Sequence, residues 1–148
     1  MKKYLYILGI LLITSSCIKW GLENLPLASG SDITHFYFEY RFSSTNANGY
    51  SQLEFVTLTT DNTITGNNIT SVITIPNPSG VFTAQEAAKV NLTDIVGSCD
   101  ISDAATIKPI NGAPELGVVA DWSQPHSYLV TAADGTSKTW TITASITP

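Results

Sequence analysis

The most suggestive site in this sequence is the pair Asp121-Trp122, where a carboxylate stands directly beside an indole. Such a pair can bind a sugar, because the ring offers a flat apolar surface and the acid accepts hydrogen bonds from hydroxyl groups. Tyr37 offers a second ring, which alternation along its strand predicts to point away from the core. We therefore take Tyr37, Asp121 and Trp122 as candidate ligand contacts. The alternative is that Trp122 fills the end of a core, that Asp121 stays in water, and that Tyr37 packs across strands.

The residues that catalysis needs are scarce. His35 and His126 are the two histidines, and no serine hydrolase or zinc protease motif is present. Cys99 has no cationic neighbour in sequence that would lower its thiol pKa, so core filling is its expected role. A carboxylate pair for glycoside cleavage can come from distant strands, which leaves a small glycan-active hydrolase using Asp121 as an alternative. We expect no catalytic residues and no enzymatic activity.

Oxygen-bearing side chains cluster between two predicted strands, at Asp61, Asn62, Asn67 and Asn68. They lack the Asp-x-Asp-x-Asp-Gly spacing that characterises a calcium-binding loop. Asn and Asp also favour turns, because their side chains bond to nearby backbone groups. The stretch 60–68 is therefore predicted to be a polar loop, and we expect neither a metal nor a cofactor.

The N-terminal residues, MKKYLYILGILLITSS, are organised like a secretory signal, with two lysines ahead of an apolar run. That run covers about ten residues, roughly half of what a membrane-spanning helix needs. The residues from Thr14 to Cys17 resemble the lipobox of bacterial lipoproteins, in the loosened form of Bacteroides-type proteins, with the apolar Ile13 one place early. The resemblance implies that residues 1–16 are a lipoprotein signal peptide and that lipid is attached to Cys17, which makes the membrane a partner. Ordinary signal cleavage, with Cys17 incidental, is the alternative.

Removal of the signal makes the chain more acidic, because Lys2 and Lys3 leave with it. Five basic residues then face twelve acidic ones, and the net charge is 5 minus 12, or −7. Nucleic-acid binding depends on clustered Lys and Arg. The charge therefore excludes nucleic acid from the expected partners.

Alternating residues predict the strands that must position these groups. From Asp32 onward Phe36, Phe38 and Phe42 alternate with polar residues, so their face belongs to the core. Further strands are predicted at 52–60, 69–75, 90–96 and 103–108, with a short helix within 82–90 and a bend at Gly97-Ser98. A final hairpin joins 127–132 to 139–146 through Asp134-Gly135, a pair that suits tight turns. About seven short strands indicate an all-β sandwich with one core, for which a barrel is the alternative.

Four segments, at 33–40, 64–76, 101–109 and 120–142, together resemble an uncharacterised immunoglobulin-like module of Bacteroides-type lipoproteins. Its C-terminal part typically reads Asp-Phe-Ser-x-Pro, then Tyr-x-Val-Thr-Ala-x-Asp-Gly, and here Trp122 takes the Phe place. The resemblance implies a single immunoglobulin-like β-sandwich over residues 32–148, tied to the lipid by a tether at 17–31. It is similar to modules found beside proteins that capture polysaccharides at the outer membrane.

We therefore expect an outer-membrane-anchored lipoprotein with a non-catalytic domain that binds glycan or a surface protein. The face of the membrane is left open, because Ile18-Lys19-Trp20-Gly21 lacks the acidic residues that often follow the cysteine of exported members. The first alternative is a structural subunit of a surface complex or fibre, in which an edge strand pairs with another chain. The second is the small hydrolase.

Overall fold

A computed structural model describes residues 26–147, and the regular structure within them is almost entirely β. The strands are β1 Ile33–Thr45, β2 Ser51–Thr65, β3 Asn68–Thr74, β4 Ile95–Ile101, β5 Thr106–Ile110, β6 Val119–Ala120, β7 His126–Thr131 and β8 Ser137–Thr147, and one short helix, α1, spans Ala84–Ala87. The prediction of an all-β domain is confirmed, with eight strands in the described range where about seven were expected.

The eight strands form one curled, mixed sheet in the order β5-β7-β8-β3-β2-β1-β4-β6. The pair β3 and β8 is parallel, and the other neighbours are antiparallel. The long strand β2 serves both halves, since residues 51–58 pair with β1 and residues 59–65 pair with β3. We call β2 (51–58), β1, β4 and β6 the front half, and the remaining strands with β2 (59–65) the back half.

The core lies between the two halves, and the predicted phenylalanine face of β1 is confirmed. Phe36 and Phe38 are at most 1% exposed. Across the curl, the ring centroid of Tyr128 on β7 lies 6.4 Å from that of Phe36. Val130 and Ile142, on β7 and β8, are also fully buried. Apolar residues at every second position of β1, β7 and β8 therefore close the two halves over one core.

The prediction of a polar loop at 60–68 was wrong, because β2 continues to Thr65 and turns at Gly66-Asn67 into β3. Asp61 and Asn62 are strand residues. The amide of Asn62 donates a 2.9 Å hydrogen bond to the carbonyl of Phe36, and its oxygen accepts a 2.6 Å bond from the hydroxyl of the fully buried Ser71. Asn62 thus joins β1, β2 and β3 at the point where β2 leaves the front half.

The predicted bend at Gly97-Ser98 was also wrong, because β4 runs straight through both residues. A glycine is needed there for another reason. A Cβ atom at position 97 would overlap the six-membered ring of Trp122, which lies directly over the strand. The predicted strand at 90–96 correspondingly begins only at Ile95.

The C-terminal hairpin is confirmed. Gly135 has a φ of 89°, and the carboxylate of Asp134 accepts a 2.8 Å bond from the amide of Thr136. This bond and one from the Thr136 hydroxyl, which is the larger cause, hold the pKa of Asp134 below its ordinary value. The described end of the predicted tether packs beside this hairpin, since the indole N–H of Trp140 donates a 3.0 Å bond to the carbonyl of Ser31.

Candidate functional site

The outer surface of the front half, which we call the front face, carries the most varied set of accessible side chains. Alternation along β1 directs His35, Tyr37, Glu39 and Arg41 to this surface, opposite the buried rings. The register between β1 and β2 places Phe55 beside Arg41, and the register between β1 and β4 places Asp100 beside His35. Side chains from three strands therefore meet on one surface.

One end of the front face is polar and aromatic. The hydroxyl of Tyr37 donates a 2.5 Å hydrogen bond to the carboxylate of Asp100, and the Tyr37 ring lies 4.3 Å from the ring of His35. The bond to Asp100, with smaller contributions from desolvation and from the charge of Asp100, raises the pKa of Tyr37. A ring beside a carboxylate can stack on and bond a sugar. Tyr37 therefore keeps the position that the sequence predicted for a ligand contact.

The middle of the front face is an ion pair. The guanidinium of Arg41 lies 2.5 Å from the carboxylate of Glu39, and its other terminal nitrogen donates a 3.0 Å bond to the carbonyl of Gly117. Gly117 precedes β6, so this contact fixes the edge of the front half to β1. The three groups form a rigid polar centre.

The other end of the front face is apolar. Leu53 is 71% exposed and Phe55 is 68% exposed, and both project from β2 on the side of Arg41. We call Leu53 and Phe55 the apolar patch. Val119 on β6 is about half-exposed and pairs with Val96, which lies opposite Glu39 on β1. The turn between β1 and β2 is fixed by Asn46, whose side-chain oxygen accepts 3.0 Å bonds from the amides of Asn48 and Tyr50, so the patch lies on a rigid hairpin.

Trp122 lies in the core and has no place on this surface. It is 1% exposed, and its ring packs edge-on against Phe36 and Phe38 and in parallel with Tyr128. Its indole N–H has no hydrogen-bond partner within residues 26–147. The burial of Trp122 fits the alternative, in which it fills the core, and does not fit the predicted role of a ligand contact.

Asp121 is exposed but is not paired with an accessible ring. Its carboxylate accepts a 2.8 Å bond from the amide of Ser123, and bonds to Ser123 hold the pKa of Asp121 below its ordinary value. Its carbonyl oxygen lies 2.7 Å from a ring nitrogen of His126. The structure does not bring Asp121 and Tyr37 together with Trp122, because Tyr37 and Trp122 lie on opposite sides of β1.

Cys99 packs against the core, as its sequence context predicted. Burial, and secondarily the charge of Asp100, raises the pKa of the Cys99 thiol to about 11. The thiol is therefore protonated at neutral pH and is a poor nucleophile. Within residues 26–147, no group of His, Cys, Asp and Glu side chains is arranged to hold a metal ion.

Cys17 and the predicted signal peptide lie outside the described residues. Over residues 26–147, no helix is long and apolar enough to span a membrane. The lipid attachment at Cys17 stays a prediction.

Known proteins resemble this chain over nearly the whole of the domain. A family model described as DUF5018-related matches residues 33–143, from the start of β1 into β8. The chain belongs to the DUF5018-related family. The expected resemblance to an uncharacterised domain of Bacteroides-type bacteria is confirmed to that extent, and the match does not extend to the lipoprotein context.

Among solved structures, this DUF5018-related chain is similar to a Bacteroides fragilis protein named as a putative secreted protein. The two sequences are 36% identical, the similarity covers 83% of this chain and 100% of that one, and the TM-score is 0.75. No curated protein is significantly similar to the chain.

Sequence reasoning missed the apolar patch of this DUF5018-related domain. The second strand was predicted, but it carries apolar residues on both faces, with Leu53 and Phe55 on one and Val56 and Leu58 on the other. Pairing with β1 decides which face of β2 is buried, since Leu58 lies opposite the buried Phe38 and therefore faces the core. The available signal was the doubled apolar pattern itself, because a strand with one solvated face should be polar there.

Proposed function

We propose that this chain is an exported, lipid-anchored and non-catalytic binding module of the bacterial outer membrane, and that it holds another protein on its front face. The observation that carries the proposal is the exposure of Leu53 and Phe55, about 70% each, side by side on a rigid hairpin. Single exposed apolar residues are ordinary on protein surfaces. Two on one face, beside an arginine, have the composition of an interface.

Burial of the apolar patch can contribute substantially to the free energy of binding a partner. Burying a Leu or Phe side chain completely contributes about 1.5–3 kcal/mol, and aromatic and arginine side chains dominate measured binding hot spots. Phe55 and Arg41 stand beside each other in the β1–β2 register. The chain enters the domain at Ile33, at the other end of β1 and about 30 Å from the patch at the rise of an extended strand.

A site-specific crosslink tests this function. A photoreactive residue at position 55 in the full chain, produced in cells of a Bacteroides species, should give a discrete adduct with a protein of the envelope. Leu27 is 66% exposed and lies near the start of the domain, so the same residue at position 27 is the matched control. Absence of any adduct at position 55, or the same adducts from both positions, would contradict protein binding by the front face.

The lipid anchor is proposed from the lipobox at Thr14–Cys17. The name of the Bacteroides fragilis neighbour, a putative secreted protein, supports export of the chain. Acyl chains contribute about 0.8 kcal/mol for each buried methylene, so several chains on one cysteine hold a protein firmly. Mass spectrometry of the N-terminal peptide should find Cys17 acylated, and Cys17→Ala should release the protein from the membrane. An unmodified Cys17 would remove the anchor from the proposal.

Glycan binding is the second candidate, and a different observation favours it. The rings of Tyr37 and His35 stand together beside the Asp100 carboxylate at the polar end of the front face. Affinity electrophoresis against a panel of polysaccharides should then show retardation that Tyr37→Ala abolishes and Leu53→Ser preserves. If the wild-type protein migrates equally fast with and without every polysaccharide, glycan binding is excluded.

We also propose that the domain is an immunoglobulin-like sandwich. Its support is the packing of the front half on the back half, with Phe36 and Tyr128 in contact across the curl. The absence of a catalytic function is supported by the protonated Cys99 thiol and by the hydrogen bond that the Asp121 carboxylate accepts from the backbone of Ser123. Turnover of a polysaccharide that is lost in Asp121→Asn would contradict it.

A further inference from the structure

The curled sheet leaves a long edge of β2 open within the front half. Residues 51–58 pair with β1 on one side, but β3 pairs only with residues 59–65 on the other. No other strand in residues 26–147 pairs with Ser51–Leu58. We call Ser51–Leu58 the open edge. In an extended strand about half of the backbone N–H and C=O groups point to each side, so the open edge presents a row of unpaired groups.

The two outermost strands of the sheet carry features that prevent pairing with a strand of another chain, and the open edge lacks these features. The strand β5 carries Lys108 and Pro109, and β6 is two residues long. Lysine, proline and shortness are the usual devices that prevent edge-to-edge pairing. The open edge, with sequence SQLEFVTL, has no proline, no lysine and no bulge in its register with β1, and Glu54 is its one charge. It also carries the apolar patch.

We propose that the open edge pairs antiparallel with the open edge of a second copy of this chain, about a two-fold axis at Phe55. The proposal rests on the proposed function and names the partner at that site. Residues 53–57 of each copy take part, which is an ordinary strand length. Phe55 then lies opposite the Phe55 of the second copy, and Leu53 lies opposite its Thr57.

Charge restricts where two copies can meet and selects the register. The chain is acidic, with a net charge of −5 over its full length, so two copies repel each other over most of their surfaces. The open edge is a stretch of eight residues with one charge, and this is where the repulsion is least. In the register about Phe55, Glu54 lies opposite Val56, whereas a two-fold axis at Glu54 would set two carboxylates against each other, which destabilises a strand pair.

The same register keeps the two front faces on one side of the joined sheet. Residues directly opposite each other in an antiparallel pair share a face, so the two apolar patches merge across the axis into one surface of four apolar side chains. Aromatic pairs at such positions add stability beyond that of the burial alone. The two β1 strands run in opposite directions, and the points where the chains enter their domains lie at opposite ends of the pair.

A disulfide at the axis tests the pairing and its register together. The full chain with Phe55→Cys in a Cys99→Ser background should form a disulfide-linked dimer in intact cells under mild oxidation, because directly opposite Cβ atoms lie about 4.5–5.5 Å apart. Three controls share that background: Leu27→Cys, with equal exposure away from the edge; Glu54→Cys, one residue off the axis; and no added cysteine. The yield from Phe55→Cys should exceed each control by roughly tenfold.

A dimer yield from Phe55→Cys no higher than that from Leu27→Cys overturns the pairing, and a maximum at Glu54→Cys overturns its register. The photocrosslink at position 55 separates the two proposals. An adduct with a different protein, together with no disulfide dimer, refutes the second copy and leaves the binding function standing. No adduct and no dimer refutes both.

Discussion

Replacing Gly97 by alanine should destabilise the domain, although the same change in an ordinary strand position usually helps. A compatible Gly→Ala substitution stabilises a protein by about 0.4–1 kcal/mol. At position 97 the new methyl group would overlap three atoms of the Trp122 indole. The indole cannot shift freely, because it is 1% exposed and packs against Phe36, Phe38 and Tyr128. Since overpacking a close-packed core costs about 1–3 kcal/mol, we expect a loss of about 2 kcal/mol for Gly97→Ala.

Urea denaturation followed by circular dichroism measures this loss, and a double-mutant cycle assigns its cause. Trp122→Phe removes the part of the ring that lies over Gly97. In that background Gly97→Ala should therefore cost at least about 1 kcal/mol less than in the wild type, because contacting residues are coupled by energies of this size. An unchanged or increased stability of Gly97→Ala, or an equal loss in both backgrounds, would refute the close approach of Trp122 to β4.

Three further predictions concern the core and the closing of the sheet. Asn62→Leu should lower the free energy of unfolding by about 1–3 kcal/mol, because it removes the hydrogen-bond partner of the Phe36 carbonyl and of the buried Ser71 hydroxyl. Urea titration measures this loss. An unchanged stability would contradict the role of Asn62 in joining β1, β2 and β3. Burial raises the pKa of Cys99 from 9.0 to about 11, so the folded protein keeps a proton that the unfolded chain loses. The resulting stability is complete below pH 9 and is lost as the pH rises to 11, and Cys99→Ala should lack this part of the pH dependence in parallel urea titrations. Trp140→Phe removes the bond to the Ser31 carbonyl and should speed limited proteolysis between residues 26 and 32; equal cleavage of the two proteins would show that this bond does not hold the segment.

Local patterns predicted the parts of the fold that depend on neighbours in sequence. The alternation from Phe36 to Phe42 gave the buried face of β1 correctly, because one apolar face leaves a strand only one way to turn. Asp134-Gly135 gave the last hairpin, because the turn itself requires those residue types. The short helix predicted within 82–90 is α1, whose N-cap residue Thr83 accepts a bond from the amide of Glu86.

The errors lie where distant contacts decide. Residues 60–65 are polar except for Ile64 and suggested a loop, but an exposed strand needs only partners for its backbone, and β3 supplies them. Gly97 suggested a bend, whereas its role is to admit Trp122, which is 25 residues away in sequence. The predicted ligand site at Asp121-Trp122 was wrong for the same reason, since no neighbouring residue in the sequence shows that the indole packs against β4.

Only part of the front face could be predicted from the sequence. Tyr37 could be placed on the outside of β1, but its hydrogen bond to Asp100 depends on the β1–β4 register. The open edge could not be predicted, because it results from β3 pairing with one half of β2 and not with the other. Strand length is readable from a sequence, but the extent of pairing along each edge is set by the whole sheet.

Amide hydrogen exchange in membranes of the producing cells tests most directly whether the front face and its open edge are occupied. Peptides that cover residues 51–58 should exchange roughly tenfold more slowly in the wild type than in Phe55→Lys. Peptides from β8, which pairs with β7 over residues 137–142 and with β3 over residues 141–147, should be unaffected. Rates in the open edge that are equally fast in both proteins would contradict the proposed binding function.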